Sequence, residues 1–132
     1  MAANKEPVFV LAPKSWAVSI ATGNTARDGS GTVGTVATAA SNGSRIDRVN
    51  IVAAVTTTAG VVRLFLYDGS TYYLLSETLV TAITPSATVA VYSAEIVRDD
   101  GQAVCELPSG WSLRATTHNS ETFKVIASGG DY

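Results

Sequence analysis

The sequence predicts an all-β protein: an antiparallel, jelly-roll-like β-sandwich of about eight strands with an extended N-terminal arm. Short runs rich in Val, Ile, Leu, Thr and aromatic residues recur along the 132-residue chain, and Gly, Asn and Asp turns separate them. No stretch shows the period of an amphipathic helix. The length suits a single domain, for which we expect an arm over residues 1–13, a sandwich over residues 14–128 and a C-terminal tail over residues 129–132.

The centre of the predicted sheet is the stretch from Ser44 to Tyr67. Its two apolar runs are joined by residues 57–60, a connection whose length and glycine are typical of a β-hairpin. The hydrophobic alternation slips by one position early in the first run, so we expect a β-bulge at Asp47 or Arg48.

The other strands are expected on both sides of this hairpin. They are residues 15–21, 32–40, 71–80, 87–97, 111–118 and 122–128. Alternating apolar residues along the strands predict the core. The side chains expected to be mostly buried are Trp16, Val18, Ile51, Leu64, Leu66, Trp111, Leu113 and Val125.

The composition excludes several classes of protein. Hydrophobic residues make up 46% of the chain, which is incompatible with disorder. Charged residues make up only 15%, below the roughly 25% of ordinary soluble domains, so we expect part of the surface to be covered by other subunits. The net charge of −2 argues against a nucleic-acid partner. No signal peptide is convincing and no apolar run is long enough to span a bilayer, which predicts a cytoplasmically made protein with no membrane partner.

Two features resemble chemical motifs but have simpler structural interpretations. Gly29, Gly31 and Gly34 match the spacing GxGxxG, yet a polar loop precedes them and a Thr/Val strand follows, where dinucleotide binding needs a strand and then a helix. We interpret them as part of a flexible loop. His118 is the only histidine. It lies at a strand end and has no His or Cys partner in the sequence, which indicates a solvent-facing polar residue rather than a catalytic base or a metal ligand.

The remaining candidates also favour structure over chemistry. Asp99, Asp100 and Glu106 lack the spacing of a calcium loop and indicate a turn. Cys105, the only cysteine, is flanked by apolar residues, which predicts a small buried side chain. The sequon at residues 42–44 is interpreted as a turn. We therefore predict no catalytic residue, no metal and no cofactor, and so no enzyme.

Contact with other subunits is expected along two segments. Residues 61–75 carry apolar side chains on both faces, one of which needs cover, and this predicts a homotrimer. The prolines of the arm favour an extended segment that reaches a neighbouring molecule, although a disordered terminus is the alternative. The candidate contact residues are Pro7, Val8, Phe9, Val10, Leu11, Phe65, Tyr67, Tyr73 and Leu75. Exposed tyrosines are also able to stack on sugars, but we interpret Tyr67, Tyr72, Tyr73 and Tyr92 as core or interface residues.

Four segments of the chain resemble small virion structural proteins of tailed bacteriophages. They are NGSRIDRVNIVA (residues 42–53), VVRLFLYDGSTYYLLSE (61–77), LPSGWSLRA (107–115) and the terminal ASGGDY (127–132). The resemblance implies a β-sandwich on a capsid or tail, with no catalytic residues to carry over.

Within that group, the resemblance favours a head decoration, or cement, protein. Such proteins are commonly trimers that clamp neighbouring major capsid proteins, so the expected location is the capsid surface of a virion assembled in the bacterial cytoplasm. The alternative is a tail, collar or fibre component that acts as a receptor- or carbohydrate-binding module.

Overall fold

The computed structural model describes residues 9–132, and this part of the chain forms nine β-strands and no helix. The strands are β1 (Ala12–Ile20), β2 (Gly34–Thr38), β3 (Ser44–Ala53), β4 (Gly60–Tyr67), β5 (Tyr72–Val80), β6 (Ser93–Ile96), β7 (Cys105–Leu107), β8 (Ser112–Thr117) and β9 (Phe123–Asp131). The predicted all-β class is confirmed for these residues.

Within residues 9–132 the strands form two antiparallel sheets that enclose a shared apolar core. Sheet A has the order β1-β9-β3-β6, and the short strand β7 pairs with β3 beside β6. Sheet B has the order β2-β8-β4-β5. Side chains from the inner faces of both sheets meet in the core, which is the arrangement of an antiparallel β-sandwich.

The predicted central hairpin is wrong, because its two strands belong to different sheets. β3 pairs with β9, β6 and β7, whereas β4 pairs with β5 and β8. The connection between them crosses the sandwich: Ala54 donates to the carbonyl of Thr122, and Thr57 pairs with Ile83. The predicted bulge is confirmed, since the β3–β9 register shifts between Ile46 and Arg48 and leaves Asp47 as the extra residue.

Three other predicted boundaries are corrected. Ala12 and Pro13, expected in the arm, belong to β1, because they pair with the last residues of β9. The strand expected over residues 87–97 is only Ser93–Ile96, because Ser86 and Val89 form a turn and Tyr92 instead points inward, donating to the carbonyl of Leu79. The tail expected over residues 129–132 is part of the sandwich, because β9 continues to Asp131 and pairs with both β1 and β3.

The predicted core is confirmed for half of its members and corrected for the rest. Ile51, Leu64, Leu113 and Val125 are fully buried. The others are half-buried at the margin of the same core: Trp16, Val18, Leu66 and Trp111. Trp16 and Val18 are less buried than predicted because they lie on β1, which is an edge strand of sheet A.

Truncating the core residue Leu64 to alanine should lower the free energy of unfolding by about 2–5 kcal/mol, because it leaves a cavity that the surrounding strands fill only partly. Urea denaturation measures the change. Leu79→Ala is the matched control, since Leu79 is 76% exposed and should change the free energy of unfolding by no more than about 0.5 kcal/mol. Equal losses for the two variants would contradict the placement of the core.

Strand direction brings residues 9–11 and several loops to the same end of the sandwich. At this end, which we call the arm end, β1, β3, β5 and β8 begin and β2, β4 and β9 finish. Residues 39–43 connect β2 of sheet B to β3 of sheet A there. The last described residues of the arm, the β4–β5 turn and the C-terminus therefore share one end of the molecule.

Candidate interaction surfaces

The loop between β1 and β2, residues 21–33, crosses the outer face of sheet B. At β8, the amide of Asn24 donates to the carbonyl of Thr117 at 2.8 Å. At β5, the guanidinium of Arg27 pairs with Glu77 at 2.5 Å. The loop thus spans β8, β4 and β5, and it covers the sheet face that the sequence predicted to need a partner.

Gly29 and Gly31 allow this loop to pack closely against its neighbours. Gly29 and Gly31 have φ values of +86° and +82°, a region that favours glycine. A Cβ on Gly29 would lie 2.2 Å from the ring of Tyr72, so only glycine lets the loop rest on that ring. The strand β2, not a helix, begins at Gly34, which leaves the GxGxxG spacing without the helix N-terminus that phosphate binding needs.

Beneath the loop lies Arg63, a cation whose side chain is 1% exposed. Its Nη1 donates to the carbonyl of Asn24 at 3.3 Å, and its Nη2 lies 3.4 Å from Nδ1 of His118. Its Nε lies 3.6 Å from Glu77, whose pKa is lowered by the hydrogen bond from Arg27 and by the charges of both arginines. His118 is therefore not the solvent-facing residue that we expected, because it is half-buried against Arg63.

Two predicted contact residues face the interior of the chain. Phe65 is fully buried, because Tyr72 lies edge-on to its ring and the loop rests on Tyr72. It has no accessible surface to offer a partner in this conformation. Leu75 is half-buried and packs against the core. Tyr67 is half-buried between Tyr72, stacked at 4.2 Å, and the guanidinium of Arg114 at 4.6 Å.

The other predicted contact residues that the structure describes, which are Phe9, Val10, Leu11 and Tyr73, lie at the arm end. Pro7 and Val8 are outside the described residues. Phe9 is 69% exposed and Leu11 is 82% exposed. Val10, between them, is half-buried beside Gly130.

Tyr73, the last of the predicted contacts, stacks its exposed ring on the half-buried ring of Trp111, and we call this pair the aromatic platform. The two rings are nearly parallel, with an interplanar angle of 11° and centroids 6.0 Å apart. Tyr73 is 47% exposed, and its hydroxyl donates to Asp68 at 3.1 Å. The amides of Thr71 and Ser70 lower the pKa of Asp68, so a fixed negative charge borders the platform. Neither Asp68 nor Trp111 was among the predicted contact residues.

At the arm end, the C-terminal residues of the chain are held to the start of β3 and to β7. The hydroxyl of Ser44 donates to Asp131 at 2.6 Å, and this bond is the main reason that the pKa of Asp131 is lowered. The amide of Tyr132 donates to the carbonyl of Gly43 at 3.1 Å, and its hydroxyl donates to Glu106 at 2.9 Å. Residues 42–53 and 127–132, two of the four segments singled out in the sequence, therefore meet here through polar contacts.

The outer face of sheet A carries no comparable cover from the described part of the chain. It presents mostly small and uncharged side chains in neighbouring rows. They are Ser15, Ala17, Ser19, Arg48, Asn50, Val52, Ser93, Glu95, Lys124, Ile126 and Ser128. Arg48 and Glu95 pair with each other at 3.5 Å, so this face is nearly neutral.

The titratable residues singled out in the sequence do not assemble into a reactive site. Among residues 9–132, no group of three or more His, Cys, Asp or Glu side chains is placed to hold a metal ion. Asp100 pairs with Arg98 in an exposed turn. Burial raises the pKa of the half-buried Cys105 thiol to about 12, which leaves it protonated and unreactive at neutral pH. The described residues also include no helix that is long and apolar enough to cross a membrane.

Comparisons of the chain with protein-family models, with curated proteins and with solved structures found no match. Function is therefore inferred from the residues and surfaces described above. These surfaces are the aromatic platform and exposed arm residues at the arm end, and the open face of sheet A.

Proposed function

We propose that this chain is a non-enzymatic structural protein of a tailed-bacteriophage virion, a decoration or cement protein that binds the capsid surface and bridges neighbouring major capsid proteins. The observation that carries the proposal is the convergence of the four phage-like segments at the arm end. Residues 42–44, 67–73, 107–111 and 129–132 come together there from distant parts of the sequence. A shared motif that gathers at one end of a fold is better explained by a shared contact than by core packing alone.

The strand order supports the jelly-roll part of the proposal. If the short β7 is set aside, the remaining strands pair as a nested hairpin: β1 with β9, β2 with β8, β3 with β6 and β4 with β5. Folding this long hairpin over produces two sheets of four strands, which is how a jelly roll is built. Viral capsid and lectin domains are among the proteins that use this fold.

The surfaces support binding to proteins rather than catalysis. The open face of sheet A is nearly neutral, so contact with another protein would require the desolvation of few charges. The proposed partners are further copies of this chain, in a homotrimer, and the major capsid protein. The low charge of the chain, 15% of residues, also suits a protein that is largely covered in its assembly.

Counting the copies of the protein in purified virions tests the proposal. A decoration protein should be present at a number comparable with that of the major capsid protein, and heads that lack it should rupture at a lower temperature. A copy number far below that of the major capsid protein would point to a tail, collar or fibre position. Absence of the protein from virions would overturn both assignments.

A carbohydrate-binding module on the tail is the second candidate, and one observation favours it. The parallel rings of Tyr73 and Trp111, with the carboxylate of Asp68 at their border, resemble the combination of aromatic face and hydrogen-bond acceptor that sugars bind. Titration with host-surface glycans, followed by tryptophan fluorescence, tests this function. A saturable change in fluorescence that Tyr73→Ser weakens would favour it over a decoration protein.

A further inference from the structure

We propose that the loop of residues 21–33 is a pH-sensitive cover of sheet B, which opens when His118 takes up a proton. The proposal goes beyond the proposed function and does not depend on it. Its basis is the way in which the buried cation of Arg63 is satisfied, partly by the loop and partly by His118.

The contact between Arg63 and His118 requires a neutral imidazole. A guanidinium has N–H donors and no acceptor, so the Nδ1 atom that lies 3.4 Å from Nη2 of Arg63 must accept. The proton of the neutral ring is therefore on Nε2. A second proton would turn Nδ1 into a donor that faces another donor. It would also add a positive charge beside Arg63, whose side chain is only 1% exposed.

Two arginines compete for one carboxylate oxygen, and this competition gives Arg63 an alternative partner when the loop opens. Nε of Arg27 donates to Oε1 of Glu77 at 2.5 Å, whereas Nε of Arg63 lies 3.6 Å from that oxygen, beyond hydrogen-bond distance. The buried Nε of Arg63 thus has no hydrogen-bond partner. When the loop leaves with Arg27, Glu77 becomes available to Arg63. Water also enters and screens the repulsion between Arg63 and a charged His118, so protonation favours the open arrangement.

His118 is the group in this region whose charge changes between about pH 7.5 and about pH 5.5, because it is the chain's only histidine. In the described part of the chain, the elements packed around it also carry charged side chains. They are Arg63 of β4, Glu77 of β5, Arg114 of β8, Arg27 and Asp28 of the loop, and Glu121 of the turn after β8. Arginine keeps its proton throughout this range, and carboxylates ordinarily titrate near pH 4. Hydrogen bonds lower the pKa of both Glu77 and Asp28 further.

Opening of the loop uncovers aromatic side chains. Gly29 rests on the ring of Tyr72, and Tyr72 lies edge-on to the fully buried ring of Phe65. Uptake of a proton by His118 therefore exposes an apolar part of sheet B that the chain covers at neutral pH.

Hydrogen–deuterium exchange at about pH 7.5 and about pH 5.5 tests the proposal, with each rate divided by the intrinsic rate at that pH. The reporter is the amide of Asn24, which donates to the carbonyl of Thr117 at 2.8 Å. The reference is the set of amides in β9, between β1 and β3 in sheet A. Relative to β9, the protection of Asn24 should fall by about fivefold to tenfold at the lower pH. One proton taken up over about one pH unit shifts an equilibrium by at most about tenfold.

Two variants separate protonation from other effects of acid. In His118→Asn the amide oxygen replaces Nδ1 as an acceptor for Arg63 but takes up no proton, so the loop should stay protected at both pH values. In His118→Lys a permanent cation faces Arg63, so the protection of Asn24 should be low at both. Equal protection of the unchanged chain at the two pH values would overturn the proposal. So would a pH-dependent loss that persists in His118→Asn, a result that does not require the lysine variant to fold.

Discussion

Replacing Gly129 with alanine should lower the free energy of unfolding by more than about 3 kcal/mol, beyond the usual range for an over-packed site. A Cβ at Gly129 would lie 1.8 Å from the carbonyl oxygen of Arg45 and 2.8 Å from its carbonyl carbon. Both atoms are backbone, so no side-chain rotation relieves the clash. β3 and β9 would have to separate next to the bulge at Asp47. Most of a small domain's stability would then be lost.

Ser128→Ala is the matched control for this change. Ser128 precedes Gly129 in β9, lies on the outer face of sheet A and already carries a Cβ. Its replacement should leave the free energy of unfolding within about 0.5 kcal/mol of the original value. Urea denaturation and near-ultraviolet circular dichroism compare the two variants. If Gly129→Ala were as stable as Ser128→Ala, the close approach of β3 and β9 at this position would be wrong.

The two C-terminal glycines also show why the tail was mispredicted. A Gly-Gly pair near a terminus indicates flexibility when only local sequence is considered. In the folded chain these glycines instead let neighbouring strands come close together. The backbone of Arg45 in β3 lies against Gly129, and the backbone of Ala12 in β1 lies against Gly130. The sequence contains no local signal for this role, since the strands involved are far away along the chain.

The strands themselves were predictable, and their partners were not. Alternating apolar residues located most of the strands, and the slip in that alternation located the bulge at Asp47. The connection between β3 and β4 has the glycine and the length of a hairpin loop, but a connection of that length is equally able to cross from one sheet to the other. Backbone hydrogen bonds to Thr122 and Ile83, which are distant in the sequence, hold this connection in the crossing conformation.

The candidate site was predictable in the same partial way. The exposed apolar residues Phe9 and Leu11 and the exposed ring of Tyr73 follow from the pattern of the sequence. Phe65 lies on a strand that is apolar on both faces, and the sequence suggested that a partner covers one of them. The chain covers that face itself with residues 21–33, a polar loop in which only the folded structure reveals the role of Asn24 and Arg27.

Deletion of residues 2–11 should leave the sandwich folded and remove its ability to assemble. β1 begins at Ala12, so the deletion spares all nine strands of the described chain. Of the backbone hydrogen bonds among residues 9–132 it removes the one from Leu11 to Asp131, at a cost of about 1 kcal/mol. The exposed side chains of Phe9 and Leu11 contribute little to the stability of one molecule, because they touch little of it. Urea denaturation should therefore change little, while light scattering should report a monomer and capsid occupancy should fall.

The double variant Phe9→Ser, Leu11→Ser separates the side chains from the length of the arm. It keeps the backbone bond to Asp131 but removes the apolar surface, so it should lose assembly as fully as the deletion does. Leu79→Ser, at the far end of the sandwich, should assemble normally. An unchanged oligomeric state together with unchanged capsid occupancy after the deletion would rule out a joining role for the arm, and the exposed residues at its base would then be no more than a solvated terminus.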